Sequence, residues 1–597
     1  MTKEKSMNGT GIVPGTNGYL VDKSLKGMLA VSIFMMFGAT ISMSIDSILA
    51  GNLLGQDALA TMSAAMPLFV AISMLSSILA NGGSTLASRA LGENDEKKVN
   101  AVFTLVVLVD IAIAFILMAC IYPNMQAVAS FIGAREEPIN SMTVAYIRGL
   151  MVGVIPMMLS STFLYFIRIT GNPQLGLITT LIMAVVDVAG DYILAGPLKM
   201  GTYGLALATS ASYWVPFVIS VLYVIFGKCS LRLAKPTDVW RSMASVVNLG
   251  MPSALTSLCN VVKGIVFNLI AAALGVRVLS TIMVQGSVCN IVGCVTLGVG
   301  SAVMPLAGIF FGEQDENSLI MTVKKAVWVG VLLNTILAVA TFVLAKPLAG
   351  MFHLTDPESV QMGVRSIRYY ALSMPFAIVS YVLISHYQCT KRVWMANVII
   401  LGKGMVFSIL FAVLGKNAMG DNALWVSGVV SEVLALVLIY VVICVYYKTL
   451  RPSLKDFFML PKEWEQQPPC YEVSLRNDIG DAVTVSENVH IFCKENGVSD
   501  KTAYFMAVCL EEMVTNTIQY GFKDQKEHFI DIKVQAIGEG AKLRIRDDGA
   551  AFNPMDYLKE QDSDDLIHNI GIRMVKEIAK EVDYRNTMRM NNLFIEI

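Results

Sequence analysis

Long apolar runs separated by short polar connections fill the chain up to Tyr447. A helix needs about 20 consecutive apolar residues to cross the hydrocarbon core of a bilayer. Twelve runs reach that length, near 27–51, 62–88, 100–122, 143–168, 174–198, 202–227, 244–273, 281–310, 323–348, 366–388, 394–416 and 423–447. Beyond Tyr447 the pattern becomes short and mixed. Residues 474–497 and 501–520 carry a helical pattern, and 529–536 and 541–546 alternate as strands. Another helix follows at 571–579 and a last strand at 593–597. The expected fold class is a polytopic all-α membrane protein of 12 transmembrane helices, followed by a small α/β-sandwich domain. The expected divisions are an N-terminal segment at 1–26, lobes at 27–227 and 228–447, a Pro-marked linker at 448–469 and the sandwich at 470–597.

The two lobes repeat. At an offset of 220 residues, Leu54-Gly55 matches Leu274-Gly275, Leu59 and Thr61 match Leu279 and Thr281, and Gly92-Glu93 and Asp95 match Gly312-Glu313 and Asp315. Each half carries six spans, so the repeats are parallel, with their axis along the membrane normal. Transporters are commonly built from such pairs, with a site between them.

Charge sets the orientation. Lys3, Lys5, Lys23 and Lys26 precede the first span. Alternate connections hold Arg89, Lys97 and Lys98; Arg168; Lys228, Arg232, Lys235 and Arg241; Lys324 and Lys325; and Lys391 and Arg392. The exit from the last span adds Lys448, Arg451 and Lys455. The opposite connections hold fewer bases, although Arg365 and Arg368 near His353 depart from the trend, offset by Asp356 and Glu358. By the positive-inside rule both termini are expected in the cytoplasm of a bacterial inner membrane.

Composition agrees. Charged residues make up 15% of the chain and hydrophobic ones 55%, against about 25% charged in soluble proteins. From residue 470 onward, 23 acids face 15 bases, so an acidic tail follows a basic membrane part. The ten cysteines form no Cys-x-x-Cys pair; they are expected as buried small hydrophobes rather than disulfides or metal ligands. The first 26 residues are polar and Gly-rich, without the pattern of a signal peptide.

An ionisable side chain inside a span is costly and is a functional candidate by default. The candidates are Asp46, Asp110, Asp187, Asp191, Lys263, Lys403 and Glu432. Asp187 and Asp191 lie one helical turn apart on one face. Two adjacent carboxylates in a poorly hydrated cavity do not ionise independently, so the pair titrates as a unit. Such a pair suits proton-coupled export. The isolated Asp110 reads better as part of a structural network.

Four runs, SIDSILAGNLLGQDALA (44–60), GGSTLASRALGENDEKKVNA (82–101), VVDVAGDYIL (185–194) and GTYGLALATS (201–210), resemble the first, second, fifth and sixth helices of multidrug-and-toxin-extrusion (MATE) transporters. The resemblance implies a coupling-cation cluster at Asp46, Asp191, Asp187 and Thr209, with Asp187 standing where the family usually has Asn. It implies H+ or Na+ as the coupling ion and amphipathic organic cations as substrates. Many members carry a Glu eight residues after the Pro of a Gly-x-Pro; here Pro252 is followed at that distance by Asn260. Lys263 and Lys403 instead make the second lobe basic and offer partners to the carboxylates of the first.

The tail has its own motifs. CLEEMVTNTIQYGF (509–522) places Glu512 and Asn516 one turn apart, a pair suited to orienting a nucleophile and to holding the Mg2+ that bridges phosphates. LRIRDDGAAFNP (543–554) runs a strand into Asp547-x-Gly549, a carboxylate for an adenine amine beside a Gly that permits close approach. NIGIRMVKEIAKEVDY (569–584) puts Gly571 at a helix N-terminus, where phosphate is favoured. In this order the motifs resemble the histidine-kinase-type ATPase domain, in the branch of anti-sigma-factor serine kinases. Ala551 and Asn569 replace two of that family's glycines. The resemblance implies ATP with Mg2+, serine/threonine kinase-like chemistry, and a regulatory protein partner or self-pairing of the domain. No His is followed by the acidic residue usual at a phospho-His, and no Walker Gly-x-x-x-x-Gly-Lys motif exists. Autophosphorylating sensor kinase and ABC-type activities are therefore not expected, nor is nucleic-acid binding.

Three readings remain: an ion-coupled drug exporter with an ATP-binding regulatory domain, a lipid-linked or polysaccharide flippase, and a membrane-anchored signalling protein with a transporter-like sensor.

Overall fold

The computed structural model describes residues 12–227, 229–352, 357–466, 468–524, 526–560, 570–588 and 590–597. Lys3, Lys5, Lys228, His353, Asp356 and Asn569 lie outside them. The chain divides into two units: a helical one of 27–315 and 322–459, and a sheet-bearing one of 1–26, 316–321 and 460–597.

In hydrocarbon, backbone polar groups must be satisfied within the segment, and apolar runs of this length therefore become helices. The first half comprises α1 (Tyr19–Leu54), α2 (Gln56–Gly92), α3 (Glu96–Ile121), α4 (Met125–Phe131), α5 (Ile139–Met151), α6 (Val154–Ile169), α7 (Pro173–Ala195) and α8 (Gly201–Phe226). The second comprises α9 (Val239–Leu274), α10 (Val276–Gly312), α11 (Glu316–Val343), α12 (Ala345–Gly350), α13 (Pro357–Cys389), α14 (Val393–Leu401), α15 (Phe407–Met419) and α16 (Asn422–Tyr447). Among the described residues eleven helices are long and apolar enough to span a membrane; α5 and α6, bent by 46° at their junction, reach that length only as a pair. Large apolar side chains such as Val185, Leu269 and Ile336 point outward, as a lipid solvent requires.

The repeat is geometric as well as sequential. The helices α1 and α9 are 36 residues long, α2 and α10 are 37, and each pair's bounds differ by the same 220 positions. The hinge glycines Gly55 and Gly275 both hold positive φ, 83° and 123°, which a side chain would oppose. The halves meet where α2 and α10 cross at Gly92 and Gly312. A Cβ on Gly92 would strike the Ile309 carbonyl oxygen, and one on Gly312 would strike that of Arg89.

Two basic residues expected in connections are instead buried in helices that tie the halves together. Arg89 on α2 donates through Nε to the Cys389 carbonyl (2.7 Å) and through Nη2 to that of Gln388 (2.9 Å). Arg168 on α6 donates to the Ser301 carbonyl (2.8 Å) and to Ser32 Oγ (2.5 Å). The carbonyls lie at the C-terminal end of α13 and within α10. Guanidinium groups with several fixed donors suit such backbone clamps.

The stretch expected as a linker is tethered through Met459. The Phe457, Phe458 and Met459 carbonyls accept from Tyr387 Oη (2.7 Å), pair with His386 Nε2 (2.9 Å) and accept from Arg392 Nε (2.9 Å).

The sheet-bearing unit contains β1 (Val13–Pro14), β2 (Cys470–Arg476), α17 (Ile479–Glu495), α18 (Asp500–Asn516), β3 (Phe529–Ile537), β4 (Gly540–Asp547), α19 (Pro554–Glu560), α20 (Ile570–Ile578), β5 (Glu581–Thr587) and β6 (Met590–Glu596). Among the described residues the strands form one antiparallel sheet in the order β1-β2-β3-β4-β6-β5. Alternate residues such as Ile532, Val534, Leu543 and Ile545 pack with Val485, Val489, Leu510 and Val514 of α17 and α18 to form the core. The other face is polar yet buried: Lys533 pairs with Glu472 (2.9 Å), Ser474 with Asp531, and Arg546 with Asn592 (2.7 Å). The segment around Val13–Pro14 belongs to this sheet, and Asn17 N–H donates to Ser474 Oγ (3.0 Å). Residues 470–476, partly expected as helix, are strand. Of the cysteines, Cys120 and Cys470 are exposed rather than buried, and all ten are unbridged.

Candidate functional site

In the first lobe, α1 carries Asp46 and α7 carries Asp187 and Asp191, all three buried. Asp187 and Asp191 both lie within electrostatic reach of Asp46. Ser42, one turn before Asp46, donates to Asp187 Oδ2 at 2.9 Å. The Oδ1 atom of each carboxyl has no hydrogen-bond partner. A buried acceptor without a donor is unusual, and three of them in one cluster make a place for protons or a cation. Thr209 and Ser212 of α8 flank Asp187, although their hydroxyls donate to the carbonyls of Leu205 (3.2 Å) and Thr209 (2.8 Å). Tyr146 and Tyr213 complete the surroundings. Neither they nor the two serines stand out by sequence, because Ser and Tyr are ordinary within spans. Asp110 sits apart and buried: its Oδ2 accepts from Thr162 Oγ1 at 2.6 Å, and its Oδ1, like those of the cluster, has no partner.

The second lobe differs. Lys403 Nζ contacts Glu432 Oε1 (2.9 Å) and Ser380 Oγ (2.7 Å), and lies 4.3 Å from the Tyr381 ring centroid. Lys403 lies in a π-helical turn, Gly402–Val406, that interrupts the span between α14 and α15; such bulges are frequent at functional sites. Lys263 and Asn260 line a cavity of about 380 Å³ with this pair. The expected pairing of the two lysines with carboxylates of the first lobe is corrected here: Lys403 is matched within its own lobe by Glu432, and Lys263 faces a cavity lined by residues 256–432.

In the sheet-bearing unit, Asn516 at the end of α18 and Asp547 at the end of β4 line one cavity of about 230 Å³, together with Phe552 and Tyr584. Asp547 Oδ1 accepts from the Gly549 N–H (2.8 Å) and from Asn591 Nδ2 (2.7 Å). Burial pushes the Asp547 carboxyl up to about 6, against the opposing pull of those two donors. Gly549 packs on the Gly521 carbonyl, which accepts from Ala550 N–H (2.8 Å); a side chain at 549 would break that approach. Glu512 lies one turn before Asn516, against the start of α20, where a Cβ on Gly571 would collide with its carboxylate. The anion at this helix N-terminus is thus Glu512 itself, while Asn516 and Asp547 share the cavity. The residues suit an adenine nucleotide: a buried acceptor, an apolar and aromatic wall, and an amide at the mouth. Mg2+ binds through substrate phosphates and water with few protein ligands, so one amide suffices.

The MatE family model matches residues 32–193 and 252–414. The model of the histidine kinase-like ATPase domain matches 475–596. The Multidrug export protein MepA of Staphylococcus saprophyticus is 23% identical over 407 residues, covering 66% of this chain and 89% of the relative. MepA of Staphylococcus aureus is 22% identical over 398 residues, covering 65% and 87%. An outward-facing MATE-family transporter of the MOP superfamily superposes with a TM-score of 0.66 at 17% identity, over 71% of this chain and 97% of that one. A MOP superfamily transporter from Pyrococcus furiosus, described as having a binding pocket of reverse polarity, superposes at 0.65 and 17%, over 71% and 97%.

Proposed function

The chain belongs to the MatE family and carries a histidine-kinase-like ATPase domain, and we propose that it is a cation-coupled antiporter exporting amphipathic organic cations under the control of that domain. The observation that carries this reading is the cluster of Asp46, Asp187 and Asp191, buried together with one unpartnered oxygen on each. Like charges at this spacing are not all ionised at once, so the cluster exchanges protons as a unit. Proton entry from one side displaces a bound cation; proton loss to the other reloads the cluster. The Arg89 and Arg168 clamps hold the lobes together at one end and release them as the lobes rock. The relatives named as multidrug export proteins support the substrate class. We place the protein in a bacterial inner membrane with both termini cytoplasmic, where ATP is present.

In the ATPase domain, Asp547 would accept the adenine amine, Asn516 would hold Mg2+ at the phosphates, and Glu512 would orient a nucleophile. Bound ATP would supply phosphate charge and a transferable phosphoryl group; we read its role here as regulation of export.

The test is efflux of a fluorescent cationic dye from energised cells lacking other pumps, comparing the parent with Asp191→Asn. Gradient-dependent efflux that disappears in the variant is expected. Absence of efflux by the parent at verified expression, across a panel of cations, would overturn the export reading.

A further inference from the structure

We infer that the cavity of the second lobe is a binding site for the acidic group of an aromatic carboxylic acid or zwitterion, anchored by Lys263. The inference goes beyond the export reading, which assigns this cavity no ligand, and it extends the substrate class to molecules carrying a carboxylate.

Three charged side chains face or border the cavity, and their balance is positive. Lys403 and Glu432 neutralise each other through an ion pair braced by Ser380. Lys263 is left over: among the described residues it has neither a hydrogen bond nor an ion pair. It lies eleven residues from the C-terminal end of α9, or about 16 Å at 1.5 Å per residue. That is roughly half of a 30 Å hydrocarbon core, too deep for the ammonium to reach the interface easily. An uncompensated cation at that depth is expensive and marks a ligand path or partner.

The surroundings fit an anion with an aromatic body. Asn260, three residues before Lys263, shares its helix face and lines the cavity, adding an amide donor beside the ammonium. Trp425, Tyr381 and other apolar groups supply the remaining wall. The volume of about 380 Å³ falls within the range of small-molecule sites, roughly 300–1,000 Å³. A second cation in the ligand would be repelled by the lysines; a carboxylate is bound by Lys263 without disturbing the Lys403–Glu432 pair.

The test uses the full chain in phosphatidylcholine nanodiscs and two dyes differing only in this group, rhodamine 110 with a free carboxylate and its methyl ester, rhodamine 123. Binding is read by fluorescence anisotropy against empty nanodiscs. The wild type should bind the acid roughly tenfold more tightly than the ester, the scale of one charge-assisted contact. Lys263→Met should erase that preference, and Lys263→Arg should keep it. Equal binding of the two dyes by the wild type, or a preference that survives Lys263→Met, would overturn the proposal. Should Lys263→Met fail to assemble, competition on the wild type by benzoate against benzamide decides, benzamide being expected not to compete. Loss of the acid preference when phosphatidylglycerol is added would assign the site to a lipid headgroup and overturn it as well. Binding needs no gradient, so an intact preference without efflux would count only against the export reading.

Discussion

The two lobes share their helices and differ in their chemistry. Their first helices are equal in length, their hinge glycines share a positive φ, and their glycines meet at a common crossing. Yet the first lobe buries a cluster of three carboxylates with one unpartnered oxygen each, and the second holds a lysine and a glutamate that satisfy each other, with a second lysine facing a cavity. The backbone of a repeat is fixed by packing, because a Cβ at Gly92 or Gly312 has nowhere to go. The polar side chains are fixed only by their partners in each lobe, and they can diverge once the helices are set. An under-satisfied cluster is poised to exchange ions; a satisfied pair is poised to hold a shape.

That contrast predicts opposite responses to neutralisation. Glu432→Gln leaves Lys403 buried without its counter-charge and should cost about 3–5 kcal/mol, the usual penalty for breaking a buried ion pair. The double variant Lys403→Met, Glu432→Leu should recover most of that loss, since no charge remains to be desolvated. Asp191→Asn should cost little stability, because it relieves repulsion, while abolishing gradient-driven efflux. Thermal unfolding in detergent, paired with dye efflux, separates the two cases. Equal destabilisation by Glu432→Gln and Asp191→Asn would remove the distinction between the lobes.

The symmetric crossing gives a sharper form of the comparison. Gly92→Ala and Gly312→Ala should each destabilise the protein by about 1–3 kcal/mol through overpacking, and by similar amounts. Arg89 tests the clamp between the lobes. Its two hydrogen bonds end on the Cys389 and Gln388 carbonyls, and charged donors are worth about 1.5–3 kcal/mol each. In a variant whose single remaining cysteine is the buried Cys389, Arg89→Met should raise the rate of maleimide labelling at least about tenfold by opening this end. Unchanged labelling would mean that the glycine crossing alone closes it.

Much of this was legible in the sequence, and the failures have physical causes. Apolar length gave the spans, and a single offset gave the repeat, because both are dictated by the bilayer and by backbone packing. Asp46, Asp187 and Asp191 stood out because charge within a span is rare. Arg89 and Arg168 were misplaced because each lies at the end of an apolar run, where a buried clamp and a loop charge look alike. Residues 470–476 were missed as a strand because β2 is paired on both sides and covered on both faces, with Val473, Ser474 and Leu475 all buried; the alternation that betrays a half-exposed strand is lost. The cavity that Lys263 faces and the partner of Lys403 could not be read, since lobe membership does not say which face a helix presents. In the sheet-bearing unit, Asp547 and Asn516 were found from their motifs, while Asn591, which holds Asp547 from the neighbouring strand, carries no local signal.

Asp547 also supplies the comparison's control: a buried carboxylate that stands with donors instead of with other carboxylates. Asn591 and the Gly549 N–H favour its ionised form, yet burial outweighs them and raises it to about 6 from an ordinary 3.8. The native state therefore holds its proton more tightly than the unfolded chain. Stability from this group is greatest below the unfolded value and is lost as pH rises from 3.8 towards 6. Binding runs the other way, because an adenine amine donates and needs the carboxylate as its acceptor. One pH unit below the midpoint about a tenth of the group is ionised, so adenosine should bind the protein roughly tenfold more weakly at about pH 5 than near pH 7.5. Adenosine carries no phosphate, and phosphate titration does not enter. Calorimetry on the wild type and on Asp547→Asn decides the assignment: the pH step should vanish in the variant, and a step of equal size in both would place the acceptor elsewhere.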